Sequence, residues 1–348
     1  MRHPDFLPTG RPTVGERRSW GELPPDQRLG VGVVGLHEGH TMLIALRASG
    51  LCYAVAGCDL APEKRADAEQ STPGLWTTDS YEALLARDDV KIVAIYTPDS
   101  LHAEQIEQAF RAGKHVICTK PLVNDLSVSE SLMQAAKETG GRLQVGQSTR
   151  FYEPFQRQWE DAQAGKIGAV EAADAHYHHR MDWFYEKSPW SLNTTHWVYL
   201  GMSHPLDYLR WHLGHIKKVQ AMGSRSALAR QYGLPTPDVI TVQVVDDQGR
   251  IGRAFSHFGC HELPRGRSLI EGLLMGDKGT SLARYPDLRY TWHDERGIEH
   301  EEDFHHAMAG YYYRHELKGM HYGEFCSIAD SFAAAIISGA PNHPDLEE

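Results

Sequence analysis

From Leu29 onward the chain alternates short, nearly unbroken apolar runs with longer stretches of helical character. The apolar runs predict strands at Leu29–Gly35, Tyr53–Asp59, Ile92–Tyr96, His115–Cys118 and Leu143–Val145. The stretches between them predict helices at Thr41–Ser49, Glu63–Glu69, Ser80–Arg87, Leu101–Ala112 and Ser127–Thr139. Strands that are apolar on both faces need helices on both faces, so this part is expected to be a doubly wound α/β domain with a parallel sheet. After about Gln147 several runs alternate with period two: Val170–His178, Val219–Gly223, Val239–Val245, Arg253–Phe258 and Leu269–Gly276. With short turns between them, these predict a large, mainly antiparallel open sheet with one exposed face. Helices at His204–Leu213 and Tyr322–Ser338 make the second part α+β. The expected organisation is a polar extension over 1–28, a doubly wound domain over 29–147 and an α+β domain over 148–348.

Composition narrows the function. The 348 residues carry 35 Lys+Arg against 46 Asp+Glu, a formal charge of −11, which argues against binding nucleic acid or an anionic membrane. No apolar run reaches the roughly 18–20 residues that span a bilayer. The N-terminal stretch lacks an apolar signal-peptide core, so no secretory signal is expected there. Five scattered cysteines without a CxxC fit neither a disulfide scaffold nor a zinc ribbon, and suit a reducing cytoplasm.

Gly30-x-Gly32-x-x-Gly35 matches a dinucleotide fingerprint literally, but its first two glycines fall inside the first strand. The strand-to-helix junction Gly35-Leu36-His37-Glu38-Gly39-His40 is the sensible phosphate turn, with the N–H groups of the first helix turned to a pyrophosphate. His37 and His40 stand where the second and third glycines would, so the loop must widen or Gly39 must compensate. Asp59 ends the second strand 24 residues after Gly35, placed to accept hydrogen bonds from a ribose and to repel a 2′-phosphate. The expected cofactor is therefore NAD rather than NADP.

Three segments carry a resemblance: Tyr96-Thr97-Pro98-Asp99-Ser100-Leu101-His102, Gly113-Lys114-His115-Val116-Ile117-Cys118-Thr119-Lys120-Pro121, and Val145-Gly146-Gln147-Ser148-Thr149-Arg150. In motif and spacing the chain resembles the glucose–fructose oxidoreductase, inositol dehydrogenase and rhizopine-catabolism family (Gfo/Idh/MocA) over about residues 29–345. The family's Glu-Lys-Pro is here Thr119-Lys120-Pro121. The resemblance implies that Lys120 lies between nicotinamide and substrate, that Pro121 follows a cis bond, and that Thr97, Pro98 and His102 pack along the cofactor. The cofactor set is then Gly35, His37, Glu38, Asp59, Thr97, Pro98, His102, Lys120, Pro121 and Gln147. Independently, a lysine leaving a buried parallel strand at its C-terminal end points to the crevice where such sheets bind ligands. Desolvation there lets it exchange a proton with a hydroxyl.

The family's second catalytic element, D-x-x-x-H, corresponds to Leu200 through His204, so the histidine is present and the aspartate is not. Pro205 puts His204 at a helix start, where the dipole favours a neutral imidazole able to accept a proton. Asp207, or His196 from the preceding loop, is the expected partner of that ring. Lys120 and His204 are the catalytic candidates. Aromatic and histidine-rich sequence between 176 and 211 suits a sugar or ring surface, and the substrate candidates are Arg150, His178, Trp183, His196 and Asp207. His176 and His178 with Asp182 have the makings of a metal set, but pocket lining or a dimer interface fits the spacing better, and no metal is expected. His305, His306, His315 and Tyr311–Tyr313 are read as loop and surface residues. The resemblance further implies a hydride transfer between NAD and a hydroxyl or keto group of a sugar, polyol or cyclic alcohol, in a homodimer or homotetramer without nucleic-acid or membrane partners. The alternatives are a glycosidase or lyase acting through transient oxidation of a sugar hydroxyl, and a non-catalytic sensor. Net NADH accumulation separates the first from a dehydrogenase, and loss of turnover on substituting Lys120 separates the second. Many relatives continue with another helix beyond the point where this sequence stops.

Overall fold

The computed structural model describes residues 20–194, 196–264, 268–304, 321 and 323–348. Most of the expected 1–28 extension, together with His305, His306, His315 and Tyr311–Tyr313, lies outside the described residues. The chain divides into two compact units, Met1–Ser148 with Met308–Glu348, and Thr149–Ala307.

The first unit is built on a six-stranded parallel sheet in the order β3-β2-β1-β4-β5-β6, the doubly wound arrangement whose order reverses between β1 and β4. Its strands are β1 (Leu29–Val34), β2 (Cys52–Cys58), β3 (Trp76–Thr78), β4 (Ile92–Ile95), β5 (His115–Thr119) and β6 (Leu143–Gly146). Helices α1 (Gly39–Leu46), α2 (Pro62–Ser71), α3 (Tyr81–Leu85), α4 (His102–Arg111) and α5 (Ser129–Thr139) alternate with them. β3 has only three residues, too few to leave a period in the sequence. Gly30 and Gly32 lie within β1, where a Cβ would meet the Asp89 carbonyl oxygen at 2.0 Å and the Leu84 side chain at 2.9 Å. These glycines let neighbouring elements approach the strand and take no part in a phosphate turn.

The second unit carries α6 (Glu153–Gln163), β7 (Val170–His179), α7 (Asp182–Lys187), α8 (Ser191–Thr194), α9 (Trp197–Leu200) and α10 (Ser203–Leu213). It continues through β8 (Ile216–Ser224), α11 (Ala227–Gln231), β9 (Val239–Asp246), β10 (Ile251–His257), β11 (Ser268–Gly276), β12 (Gly279–Tyr285), β13 (Arg289–His293) and β14 (Glu299–Asp303). Its sheet has eight strands in the order β14-β13-β12-β11-β7-β10-β9-β8, antiparallel except for the β7–β10 pair. One face carries Ala173, Ala175 and Tyr177 with the facing Gly252, Ala254 and Gly272, and α10 packs there. The two glycines have a steric reason: a Cβ at Gly272 would lie 2.3 Å from the Tyr208 ring, and one at Gly252 would lie 2.8 Å from Leu213. The other face carries Asp174, His176 and His178 beside Arg253, Phe255 and His257.

Helix α12 (Glu324–Ser338) belongs with the first unit rather than the second, where the sequence places it. The helix is buried along most of its length, with Phe325, Ile328, Ala329 and Phe332 in the core. Buried Asp330 accepts from the Ser49 hydroxyl, Arg142 donates to the Ala335 carbonyl at 2.6 Å, and Val145 N donates to the Pro344 carbonyl at 3.0 Å. The edge of the parallel sheet at β6 is thereby covered by the chain's last residues, which removes an exposed edge. Among the described residues no helix is long and apolar enough to cross a membrane.

Candidate active site

In the first unit the candidate residues sit at the C-terminal ends of the strands, on the turns that follow them. Gly35 leaves β1 with φ +81°, a conformation that other residues adopt at a cost, and a Cβ there would lie 2.6 Å from the Tyr96 carbonyl oxygen. Gly39 is buried at the start of α1, where a Cβ would stand 2.6 Å from Val33. It therefore supplies the close helix–strand packing usually given by the third fingerprint glycine. His37 and Glu38 are exposed on the same turn, so the histidine at the second glycine position adds no bulk to the packed side of the loop. Asp59, one residue past β2, accepts from Leu36 N at 2.7 Å through Oδ2 and from Ala61 N at 2.9 Å through Oδ1. Its carboxylate thus ties the phosphate turn to the loop after β2.

The turns after β4 and β5 are joined by one buried histidine. His102 Nδ1 lies 2.9 Å from the Pro121 carbonyl oxygen and Nε2 lies 2.9 Å from the Thr97 carbonyl oxygen. Both partners are acceptors, which favours the doubly protonated ring; burial works against it more strongly and holds His102 below the ordinary histidine value. The ring is a brace between the two motif loops, with its nitrogens committed to backbone. Thr97 Oγ1 is 2.5 Å from Gln105 Oε1, and the Lys120–Pro121 peptide is cis.

Lys120 follows β5 and is partly buried. Desolvation pulls its ammonium down from the ordinary 10.5 to about 8, against the opposing attraction of Glu38 and Asp99. Gln147, at the end of β6, is buried, and its Oε1 has no hydrogen-bond partner among the described residues. A positive-φ glycine at the turn, an acid at the end of β2 and an unsatisfied acceptor at the end of β6 fit the donor and acceptor pattern of a dinucleotide.

In the second unit His204 is buried in the first turn of α10, which starts at Ser203. Its Nδ1 is 2.9 Å from Thr149 Oγ1, so a threonine that sequence reasoning missed partners the ring. Asp207 instead accepts from Arg150 in a two-pronged pair, Nε to Oδ2 at 2.8 Å and Nη2 to Oδ1 at 2.7 Å. Arg150 is 4% exposed, with its guanidinium 5.4 Å from the centre of the Trp211 ring. The two side chains expected at the substrate thus form an internal ion pair. His196 is exposed at the N-cap of α9, and its ring lies 6.4 Å from that of Tyr199.

The face assignment also moves. Tyr177, on the α10 side of β7, meets the His204 ring edge-on at 5.3 Å and hydrogen-bonds His179 Nδ1 at 3.1 Å. His179 in turn lies 5.8 Å from the Trp183 ring. His178 is on the opposite face of the sheet, beside His176 and Phe255 at 5.6 and 5.3 Å between ring centres. Burial, then His176 and His257, hold His178 down at about 4, so it stays neutral at pH 7. Trp183 remains with the His204 group, and its Nε1 is buried without a hydrogen-bond partner among the described residues. Asp182 pairs with Arg180 at 2.7 Å, and among the described residues no group of three or more His, Cys, Asp and Glu is arranged to hold a metal ion.

Comparison with known proteins bears on both units. A family model described as an oxidoreductase family with an NAD-binding Rossmann fold matches residues 29–147, and the GFO/IDH/MocA C-terminal domain model matches 155–280. The chain is 30% identical over 213 residues to 4-carboxy-2-hydroxymuconate-6-semialdehyde dehydrogenase of Sphingobium sp. (strain NBRC 103272 / SYK-6), covering 61% of this chain and 64% of that one. It is 30% identical over 185 residues to 1-carboxy-3-chloro-3,4-dihydroxycyclo hexa-1,5-diene dehydrogenase of Comamonas testosteroni, covering 52% and 46%. These matches span less than two thirds of the relatives' lengths. Among solved structures, levoglucosan dehydrogenase in complex with NADH superposes with a TM-score of 0.78 at 20% identity over 92% of each chain, a likeness of fold. The chain belongs to the GFO/IDH/MocA oxidoreductase family, and its first unit is that family's NAD-binding Rossmann domain.

Proposed function

We propose that this member of the GFO/IDH/MocA family is an NAD-dependent dehydrogenase that moves a hydride between the nicotinamide and a hydroxyl or keto carbon of a sugar, polyol or related cyclic alcohol. The observation that carries this reading is Lys120: a partly buried lysine at the C-terminal end of β5, with its ammonium weakened to about 8. Gly35, Asp59 and Gln147 would hold the dinucleotide, and the Asp59 carboxylate favours NAD by accepting from ribose hydroxyls and repelling a 2′-phosphate. NAD, when bound, supplies the hydride acceptor. Lys120 in its neutral form takes the substrate hydroxyl proton during oxidation, and in its charged form stabilises the alkoxide and returns the proton during reduction. His204, its Nδ1 held by Thr149, offers Nε2 as the second proton-exchanging group. Trp183 offers its indole N–H to a substrate oxygen and its ring to a C–H face.

The open face of the second sheet, with His176, His178, Arg253 and Phe255, is the surface we assign to pairing into a homodimer or homotetramer. The five free cysteines support a cytoplasmic location. The test is a titration of the full chain with NADH and NADPH, followed by nicotinamide fluorescence, and then a screen of polyols and glycosides for NADH formation. Saturable binding that prefers NADH, with Asp59→Ala reducing the preference, supports the reading. Binding of neither nucleotide would replace the dehydrogenase by a sensor, and aglycone release without NADH would replace it by a glycosidase.

A further inference from the structure

The turn after β2 carries a fixed cation beside the Asp59 carboxylate. Asp59 is held on three sides: Oδ2 accepts from Leu36 N at 2.7 Å, Oδ1 accepts from Ala61 N at 2.9 Å, and its own N–H donates to the Thr78 carbonyl at 3.1 Å. Arg65, the fourth residue of α2, reaches back to this turn and donates from Nη1 to the Asp59 carbonyl at 2.7 Å and to the Leu60 carbonyl at 3.1 Å. The guanidinium is thus anchored through main-chain oxygens and not through the carboxylate. Among the described residues it makes no other hydrogen bond and no ion pair, which leaves its Nε–Nη2 edge open. Arg65 is partly exposed and Leu60 is exposed, so that edge is reachable from solvent.

We propose that Arg65 is a specificity-determining residue of the cofactor site: its open Nε–Nη2 edge takes the 2′-phosphate of NADP(H), so the chain binds both nucleotides and prefers NAD(H) by no more than about tenfold. The proposal rests on the reading that this unit holds a dinucleotide with its adenosine ribose at Asp59, and it limits the preference that Asp59 sets. A carboxylate alone repels a 2′-phosphate. An arginine fixed on the same turn sets one positive charge against that negative one, and its planar edge matches two phosphate oxygens in a bidentate pair. Asp59 can still accept from ribose hydroxyls, because each of its oxygens keeps acceptor capacity beyond the backbone N–H it already holds. The two carbonyl anchors set the guanidinium in place before a ligand arrives, so little side-chain freedom is lost on binding. An arginine that only closed the turn would act on both nucleotides alike, since the same turn carries Asp59.

The experiment titrates full-length wild type, Arg65→Gln and Arg65→Lys with NADH and NADPH by nicotinamide fluorescence, and with 5′-AMP and 2′,5′-ADP by calorimetry, which reads the adenosine end without turnover. Wild type is expected to bind NADPH within about tenfold of NADH. Arg65→Gln is expected to weaken NADPH and 2′,5′-ADP roughly 10- to 100-fold and to leave NADH and AMP within about twofold. Arg65→Lys, which keeps the charge without the fork, falls between the two. A wild type that prefers NADH by more than about tenfold, or an Arg65→Gln protein that loses both nucleotides equally or neither, overturns the proposal. If Arg65→Gln does not fold, Arg65→Lys decides: NADPH weakened by about threefold or more with NADH unchanged supports the role, and an equal or absent loss overturns it. A protein that shows this selectivity yet forms NADH from no alcohol loses the dehydrogenase reading and keeps the role of Arg65. One that turns over with NADH and rejects NADPH keeps the dehydrogenase and loses that role, and binding of neither nucleotide removes both.

Discussion

Lys120 titrating near 8 has a consequence for rate that can be worked out in advance. At pH 7 a lysine at about 8 is roughly 9% neutral, whereas one at the ordinary 10.5 is roughly 0.03% neutral, a ratio of about 300. If the neutral amine is the base for alcohol oxidation, kcat/KM measured from pH 5.5 to 9.5 rises about tenfold per unit and levels off above pH 8. Lys120→Arg keeps the charge but cannot release a proton, and is expected to lose at least about 100-fold. A rate that climbs at unit slope through pH 9.5, or a Lys120→Arg protein within threefold of wild type, would refute the reasoning. Stability gives a second readout that needs no substrate. The folded-state value lies below the unfolded one, so between about 8 and 10.5 the unfolded chain binds more protons and folding strengthens as pH rises. At pH 7 the buried ammonium weakens the fold, so Lys120→Met should melt higher than wild type there. The gap should close as pH rises through 8 toward 10.5; a gap independent of pH would mean that Lys120 is solvated.

Three other substitutions separate site from scaffold. Thr149→Val removes the hydroxyl on His204 Nδ1 and should lower kcat about tenfold with little change in KM, read by steady-state kinetics. Asp207→Asn breaks the buried pair with Arg150 and should cost about 3 kcal/mol in urea unfolding; an altered KM with stability intact would return Asp207 to the substrate site. Gly272→Ala drives a methyl into the Tyr208 ring and should destabilise by about 1–3 kcal/mol, seen as a lowered Tm, because the ring belongs to a helix packed flat on the sheet.

What the sequence reveals divides along physical lines. The five longer strands of the first sheet were legible because central strands buried on both faces must be apolar throughout, and the literal GxGxxG could be set aside because a phosphate turn must follow a strand. Period two was legible in the second sheet, but period alone leaves open which parity faces the helices. The small residues Ala173 and Ala175 carry that information, since a helix lying on a sheet needs short side chains beneath it, and they share the parity of Tyr177 and His179 rather than of His176 and His178. Read that way, the sequence already places Tyr177 with His204. Thr149 leaves no local signal, because its bond to His204 joins residues 55 apart and any hydroxyl in the loop would look the same. The return of α12 to the first unit is hidden for a related reason. A helix apolar around most of its circumference states that it is buried and does not state by what. The chemistry of this family is thus read most easily where a motif coincides with a strand end, as at Lys120, and least where two distant segments meet, as at Thr149 and His204.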